Sequence, residues 1–363
     1  MTTVETATST TDALVERLFT SVLATMDVHA IYLGDRLGYY RVLDNDDGLT
    51  SAELASRTAT AERYAREWLE QQAVTGILVT DGGTDPATRR FRLPRTHVEP
   101  MTDMLSPNYL VPVARFVVGA GKHIDALVAA FRSGRGVSWA EMGVDAREAQ
   151  AAANRPFFLG ELGQKHLPAI PDVDAALRAG GRMADIGCGL GWSSIAVALA
   201  YPDALVDGYD IDAPSIDGAR RNAAEAGVAD RVRFHLADAA EIAAGGQRYD
   251  VVTAFECVHD LPDPVGVLAA MRALAGDTGV VLVMDEKVAE TFTAPGDDVE
   301  RLMYGYSILC CLADGLAHTP SVGTGTVMRP DTLRQYAADA GFAQVDVLPI
   351  DTEVFRYYRL VQR

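Results

Sequence analysis

The run Asp185-Ile-Gly-Cys-Gly-Leu-Gly-Trp192 concentrates the chemistry of this 363-residue chain. Its glycines alternate at 187, 189 and 191. Lacking Cβ atoms, they let the backbone turn tightly and let a ligand lie directly against it. The dinucleotide fingerprint G-x-G-x-x-G does not fit, because Trp192 stands where its third glycine belongs. Asp185, at the end of a short apolar strand, would repel a pyrophosphate and suits a ligand that carries an ammonium and a sulfonium. Asp210 ends the next strand-like segment, 19 positions after Gly191, with Ile211 beside it. A nucleotide fold puts there the acid that accepts both ribose hydroxyls, and Asp212 competes for that role. Asp238 follows Val232-Arg-Phe-His-Leu236. It is placed to accept from an adenine amine, and equally to cap a helix that starts at Ala239.

These residues need a frame. From Arg182 onward, strand and helix patterns alternate, which predicts a mostly parallel, doubly wound sheet. The strands are expected at 182–186, 204–210, 231–236, 249–255, 279–285, 343–349 and 353–361, the last two as an antiparallel pair. Asp185, Asp210 and Asp238 then lie at the carboxyl ends of successive strands, where open α/β sheets bind ligands. The segment from Phe292 to Val327 has no place in a minimal sheet. Its Met303, Tyr304, Tyr306, Cys310, Cys311 and His318 suggest a lid or an apolar pocket wall. Asn154, Arg155, Phe157 and Phe158 would face it.

The front of the chain is different. Residues 1–11 are polar and are expected to fray. Leu14, Leu18, Val22 and Met26 recur at helical spacing, and Ile31 to Val42 forms a second apolar segment. Thr50-Ser-Ala-Glu53 has the form of a capping box. A helix over Ala61 to Thr75, with Tyr64, Trp68 and Leu69 on its apolar side, would end at Gly76. Ile77–Thr80 and Arg90–Leu93 then make a two-stranded wing. Such a unit binds DNA or serves dimerisation. Residues 1–100 hold ten Arg, no Lys and fifteen acids, without the basic stripe that phosphate contacts need, which favours dimerisation. Residues 107–170 read as helical, interrupted at Asn154-Arg-Pro-Phe-Phe158 and ended by Pro168 and Pro171. The expected domains are 1–100, a helical connector over 101–170, and 171–363.

Composition narrows the partners. A net charge of -18 opposes polyanions, so neither nucleic acid nor an anionic membrane is expected as a partner. The four Cys form no C-x-x-C pair and no His lies at zinc-ligand spacing, so reduced thiols in a cytoplasm and no metal are expected. Cys310-Cys311 has no basic neighbour in sequence and reads as inert filling. The N-terminal Met1 to Asp12 stretch lacks a basic region and is not expected to be a signal peptide.

The glycine loop resembles the first motif of class I S-adenosylmethionine (SAM) methyltransferases, D/E-x-G-x-G-x-G. The likeness extends over roughly residues 165–363, and the winged-helix front adds a resemblance to small-molecule methyltransferases that dimerise through such a domain. Tyr32-Leu-Gly-Asp-Arg-Leu-Gly38, Arg63-Tyr-Ala-Arg-Glu-Trp-Leu69, and Glu256-Cys-Val-His-Asp260 with Asp263-Pro264 resemble an actinobacterial branch of that group. The resemblance implies a Rossmann-like seven-stranded α/β domain behind a mainly helical winged-helix domain, SAM held by Asp185, Gly187, Gly189, Gly191, Asp210, Ile211, Asp238 and Ala239, and a homodimer. It places a general base at His259. An unperturbed imidazole titrates near ~6.5, so its neutral form can take a proton. Asp260 would orient the ring or cap a helix. Glu256 is the second candidate base, or holds the SAM ammonium. Asp285 and Glu286 bind the His or substrate, or form a turn with Lys287. Asn154, Phe158, Tyr304 and Tyr306 would line the pocket of a small aromatic or indole-containing acceptor, methylated on oxygen or carbon. A SAM-binding regulator that uses the winged helix on DNA, and an enzyme that keeps SAM for another reaction such as a cyclisation, remain as alternatives.

Overall fold

A computed structural model describes residues 10–362. They fall into two compact units, one reaching to Val118 and the other starting at Gly119. The frayed N-terminus expected over 1–11 lies outside the described residues, apart from Thr10 and Thr11.

The first unit opens with a helix over Thr11–Arg36, where Thr10 accepts from the Ala13 amide. Short helices follow over Tyr39–Asp44 and Ser51–Thr58. The expected capping box is present, with Thr50 and Glu53 each bonded to the other's backbone amide. The next helix, Glu62–Val74, ends where Gly76 takes a positive φ. Trp68 and Leu69 are buried in a core with Tyr39, Tyr40, Leu54 and Phe91. Tyr64 is not on that face as the spacing suggested: it is 80% exposed, four positions before Trp68 but rotated off the inward stripe. Strands β1 (Val79–Thr80) and β2 (Phe91–Arg92) pair antiparallel as the wing. Trp68 donates to the Ala30 carbonyl and Gln71 to Asp27, so the fold covers the C-terminal part of the first helix. Its N-terminal apolar residues, Leu14, Leu18, Phe19, Val22 and Met26, are exposed.

The second unit carries a seven-stranded sheet. Its strands are β3 (Arg182–Ile186), β4 (Leu205–Asp210), β5 (Val232–Leu236), β6 (Val251–Phe255), β7 (Val280–Glu286), β8 (Gln344–Val347) and β9 (Phe355–Val361). The order is β5-β4-β3-β6-β7-β9-β8, with β9 antiparallel to both neighbours and the rest parallel. Valines and other apolar residues on both faces pack into two clusters, as a parallel sheet covered on each side requires. The chain proceeds outward from β3 to β5, then returns to place β6 on the other side of β3. That reversal opens a crevice at the carboxyl ends of β3 and β6.

Asn154–Phe158 does not interrupt the preceding helices. The helix over Trp139–Phe157 runs through Pro156 and continues as a π-helix over Phe158–His166. Its break lies at Gly143, at φ 75° and ψ -164°, a conformation that favours glycine. The Phe292–Val327 segment contains a helix over Asp298–Tyr306, a π-turn over Ser307–Cys311 and a helical turn over Leu312–Gly315. No helix among the described residues is long and apolar enough to cross a membrane.

Candidate functional site

The loop after β3 turns through three positive-φ glycines. A Cβ on Gly191 would strike the Phe234 ring, and one on Gly187 would lie 2.7 Å from Cys257 Sγ. A Cβ on Gly189 would meet nothing within 4 Å, so the loop presents bare backbone to open space at that residue. Asp185 sits behind it, fully buried. Its carboxylate accepts from the Ser193 and Ser194 hydroxyls at 2.6 and 2.7 Å and from Thr253 at 2.9 Å. It therefore braces the loop against the helix Trp192–Ala200 and against β6.

Asp210, at the end of β4, accepts from the Gly189 and Asp212 amides, both at 2.8 Å. Burial raises its pKa. Asp212 is engaged otherwise: it caps the helix Ala213–Glu225 through the Ser215 amide and takes two hydrogen bonds from Arg147, at 2.7 and 3.1 Å. Ile211 is exposed beside Asp210, and Ala239 is buried. Asp238 caps the helix Ala239–Ala244 through the Ala240 amide, using Oδ1.

The turn after β6 carries the titratable cluster. Glu256 has φ 59°, unusual for a side chain with a Cβ, and its amide donates to the Met284 carbonyl at 2.7 Å. Asn154 and Gln150, one helical turn apart on the helix Trp139–Phe157, donate their amides to its two carboxylate oxygens. Burial pushes the Glu256 carboxyl up to about 8. His259 is buried, with Nδ1 2.5 Å from Asp285 Oδ1 and 2.9 Å from Glu286 Oε2, and Nε2 3.1 Å from Asp260 Oδ1. Burial opposes the charged ring, but Asp260, Asp285 and Glu286 outweigh it and hold the imidazole well above its ordinary range. The ordinary value expected from sequence is thus corrected by three acids, two of which arrive from β7. Asp285 and Glu286 serve the histidine rather than a turn with Lys287.

The Cys pair also departs from expectation. The Cys311 thiol meets Cys310 and the His259 ring, contacts that hold it below the usual thiol value. Only folding supplies that basic neighbour. The four expected pocket residues have different neighbours. Asn154 reaches Glu256, and burial, with Glu256 nearby as the next cause, pushes the Tyr306 phenol up. Phe158 turns into the core beside Phe255, at 6.2 Å between ring centroids, because the face that carries Gln150 and Asn154 continues along the end of β6. Tyr304 is partly exposed, near Arg329.

These features fit SAM. The loop leaves room at Gly189, and Asp210 stands at the neighbouring strand end. Arg155, whose guanidinium lies 4.2 Å over the Trp192 ring, has a buried Nε without a hydrogen-bond partner, a donor suited to a carboxylate. The glycine loop and the turn that carries Glu256 and His259 touch through Gly187 and Cys257.

Comparison with known proteins agrees. Residues 177–313 match a methyltransferase domain, and residues 24–103 match an Rv2258c-like winged helix-turn-helix domain. The chain is 44% identical over 87 residues to the 27-O-demethylrifamycin SV methyltransferase of Amycolatopsis mediterranei, covering 24% of this chain and 32% of that one. It is 30% identical over 166 residues to the ubiquinone biosynthesis O-methyltransferase of Methylococcus capsulatus, covering 45% and 63%. These matches span less than two thirds of either relative. Against the ubiquinone biosynthesis O-methyltransferase of Aromatoleum aromaticum, identity is 38% over 181 residues, covering 49% of this chain and 70% of that one. Among solved structures, the mitomycin 7-O-methyltransferase shares the fold at a TM-score of 0.73 and 21% identity, covering 97% of this chain and 98% of that one. Human N-acetylserotonin methyltransferase does so at 0.71 and 17%, covering 98% and 99%. With its strand order, its glycine loop and these matches, the chain belongs to the class I SAM-dependent methyltransferases, with SAM as its cofactor and a winged-helix domain in front.

Proposed function

We propose that this protein methylates a small aromatic or heteroaromatic metabolite on oxygen, with His259 as the proton acceptor. One observation carries the reading: His259, buried and paired with Asp285 of β7, and the clamped Glu256 sit on a turn in contact with the cofactor loop. Bound SAM supplies an electrophilic methyl group on a sulfonium. Asp210 and Asp238 would hold the ribose and adenine ends, the open backbone at Gly189 would lie against the cofactor, and Arg155 would meet its carboxylate. Asp285 fixes the ring by accepting from Nδ1–H, which leaves Nε2 to take the proton of an acceptor hydroxyl. The ring must meet the acceptor in its neutral form. The proton it takes is then stabilised by Asp260, Asp285 and Glu286. Glu256, oriented by Gln150 and Asn154, would position the acceptor. Tyr306 would contribute to the wall. An indole carbon activated by loss of its ring N–H proton is the acceptor that the same groups would serve next best, and the names of the relatives support oxygen.

We further assign residues 1–100 to homodimerisation through the exposed apolar face of the helix Thr11–Arg36 rather than to DNA, and the protein to the cytoplasm. The test of the chemistry is His259→Ala, assayed with SAM against a panel of phenols and indoles with products identified by mass. Turnover should fall by about 10²–10⁴-fold while SAM affinity is retained. Turnover within threefold of the parent, with methyl transfer limiting, would leave His259 a packing residue. A product methylated on carbon would move the reading to the indole class.

A further inference from the structure

We propose that His259 Nε2, Asp260 and Cys311 form a site for a thiophilic divalent cation, with Zn2+ as its best occupant. One ligand atom from each lies within 4.8 Å of the others. The donors differ in kind: an imidazole nitrogen, a carboxylate oxygen and a thiol sulfur. That set suits zinc, whose catalytic sites take three protein ligands and leave a fourth position open.

Three features of the geometry support the assignment. First, Asp260 Oδ1 lies 3.1 Å from Nε2, yet this buried oxygen makes no hydrogen bond. It is close to the ring nitrogen and out of line with it, as two ligands aimed at a common third point are. Ligands on one tetrahedral ion with bonds of ~2.0–2.1 Å stand ~3.3 Å apart, close to that separation. Second, the other ring nitrogen already has the supporting partner of a metal-bound histidine, since Nδ1 faces Asp285 at 2.5 Å. A carboxylate there fixes the ring and leaves Nε2 to the metal. The alternative grouping, His259 with Asp285 and Glu286, is too tight: 2.5 and 2.9 Å are hydrogen-bond separations from Nδ1 and leave no room for an ion. Third, charge and softness agree. Asp260 and Asp285 flank the single imidazole, and Asp285 Oδ2 is a second buried oxygen without a hydrogen-bond partner. Cys310 turns its sulfur to Met142 Sδ at 3.2 Å, and Cys311 is the thiol whose sulfur lies within 4.8 Å of the His259 and Asp260 ligand atoms.

A metal on Nε2 and a proton taken up by Nε2 exclude one another. Bound zinc would therefore hold the enzyme inactive. Calorimetric titration of the full chain with Zn2+, without SAM or acceptor, tests the site independently of methyl transfer. One equivalent should bind. Cys311→Ser and Asp260→Asn should each weaken binding at least tenfold, and Asp285→Asn by about 10–100-fold, because it removes the carboxylate that fixes the ring. Co2+ in place of Zn2+ should give a thiolate-to-metal charge-transfer band that Cys311→Ser loses, with folding checked by circular dichroism. If Cys311→Ser does not fold, Asp260→Asn with the Co2+ spectrum of the parent decides. Absence of stoichiometric binding, affinity unchanged in the folded variants, or a Co2+ spectrum without that band would overturn the proposal.

Discussion

Gly189 and Gly191 stand two residues apart in one loop, and an added methyl should harm them in different ways. Both have positive φ, so alanine costs each roughly 1 kcal/mol in backbone strain. At Gly191 the methyl also enters the Phe234 ring, whereas at Gly189 it meets no protein atom within 4 Å. Gly191→Ala should therefore lower the melting temperature markedly. Gly189→Ala should fold with a small loss and bind SAM at least tenfold more weakly by calorimetry, because the new atom occupies the ligand's side of the loop. Equal SAM affinity in a folded Gly189→Ala protein would contradict the placement of the cofactor. Asp185 shows the same division between structure and contact. Its spacing marks the motif, but its oxygens are spent on Ser193, Ser194 and Thr253, so it shapes the loop from behind.

Among the elements, the π-helix Phe158–His166 makes a separate, testable contribution. It sets His166 in the core, with Nδ1 3.0 Å from the Tyr357 hydroxyl on β9. Burial holds this imidazole below its ordinary range, against the pull of Glu161. The sign follows: the fold prefers the neutral ring, so the contribution is complete above the unfolded value of ~6.5 and is lost as pH falls below it. Stability should drop on acidification, with this residue supplying at most about 1.4 kcal/mol per pH unit. Denaturant unfolding from pH 7.5 to 5 should show a shallower pH slope in His166→Phe; identical slopes would remove the effect. The strands were legible in the sequence because a buried parallel sheet writes itself as apolar runs ending in acids and glycines. The carboxylate cage of His259 was legible only in part. Asp260 is adjacent in the chain, and Asp285 and Glu286 end the strand β7 beside it, so all three are readable as partners of the ring; Cys311 comes from the Ser307–Cys311 turn, a contact that no local spacing encodes. The Asn154–Phe158 break failed for a related reason: Pro156 suggested a stop, but the helix carries it and yields at Gly143 instead.

For the whole molecule, the proposed homodimer rests on the exposed face of the first helix. Its residues Leu14, Leu18, Phe19, Val22 and Met26 form an apolar stripe that the described fold leaves in water, and a stable interface would bury it. Light scattering should give twice the chain mass. Leu18→Glu combined with Phe19→Glu should yield a monomer at micromolar concentration with the second unit still folded. A monomeric parent protein would defeat the dimer. The net charge of -18 supports the same proposal, because such a field works against a polyanion as partner.

Glu256 occupies a backbone shape in which most residues are uncomfortable, and it does so with a carboxyl withdrawn from water and clamped by two amides. Each of these is a debt against folding, and glycine would cancel both. Evolution toward heat resistance alone would thus erode this position early. A glycine there in a sequence of otherwise matching pattern would mark a protein that has kept the architecture and given up the chemistry.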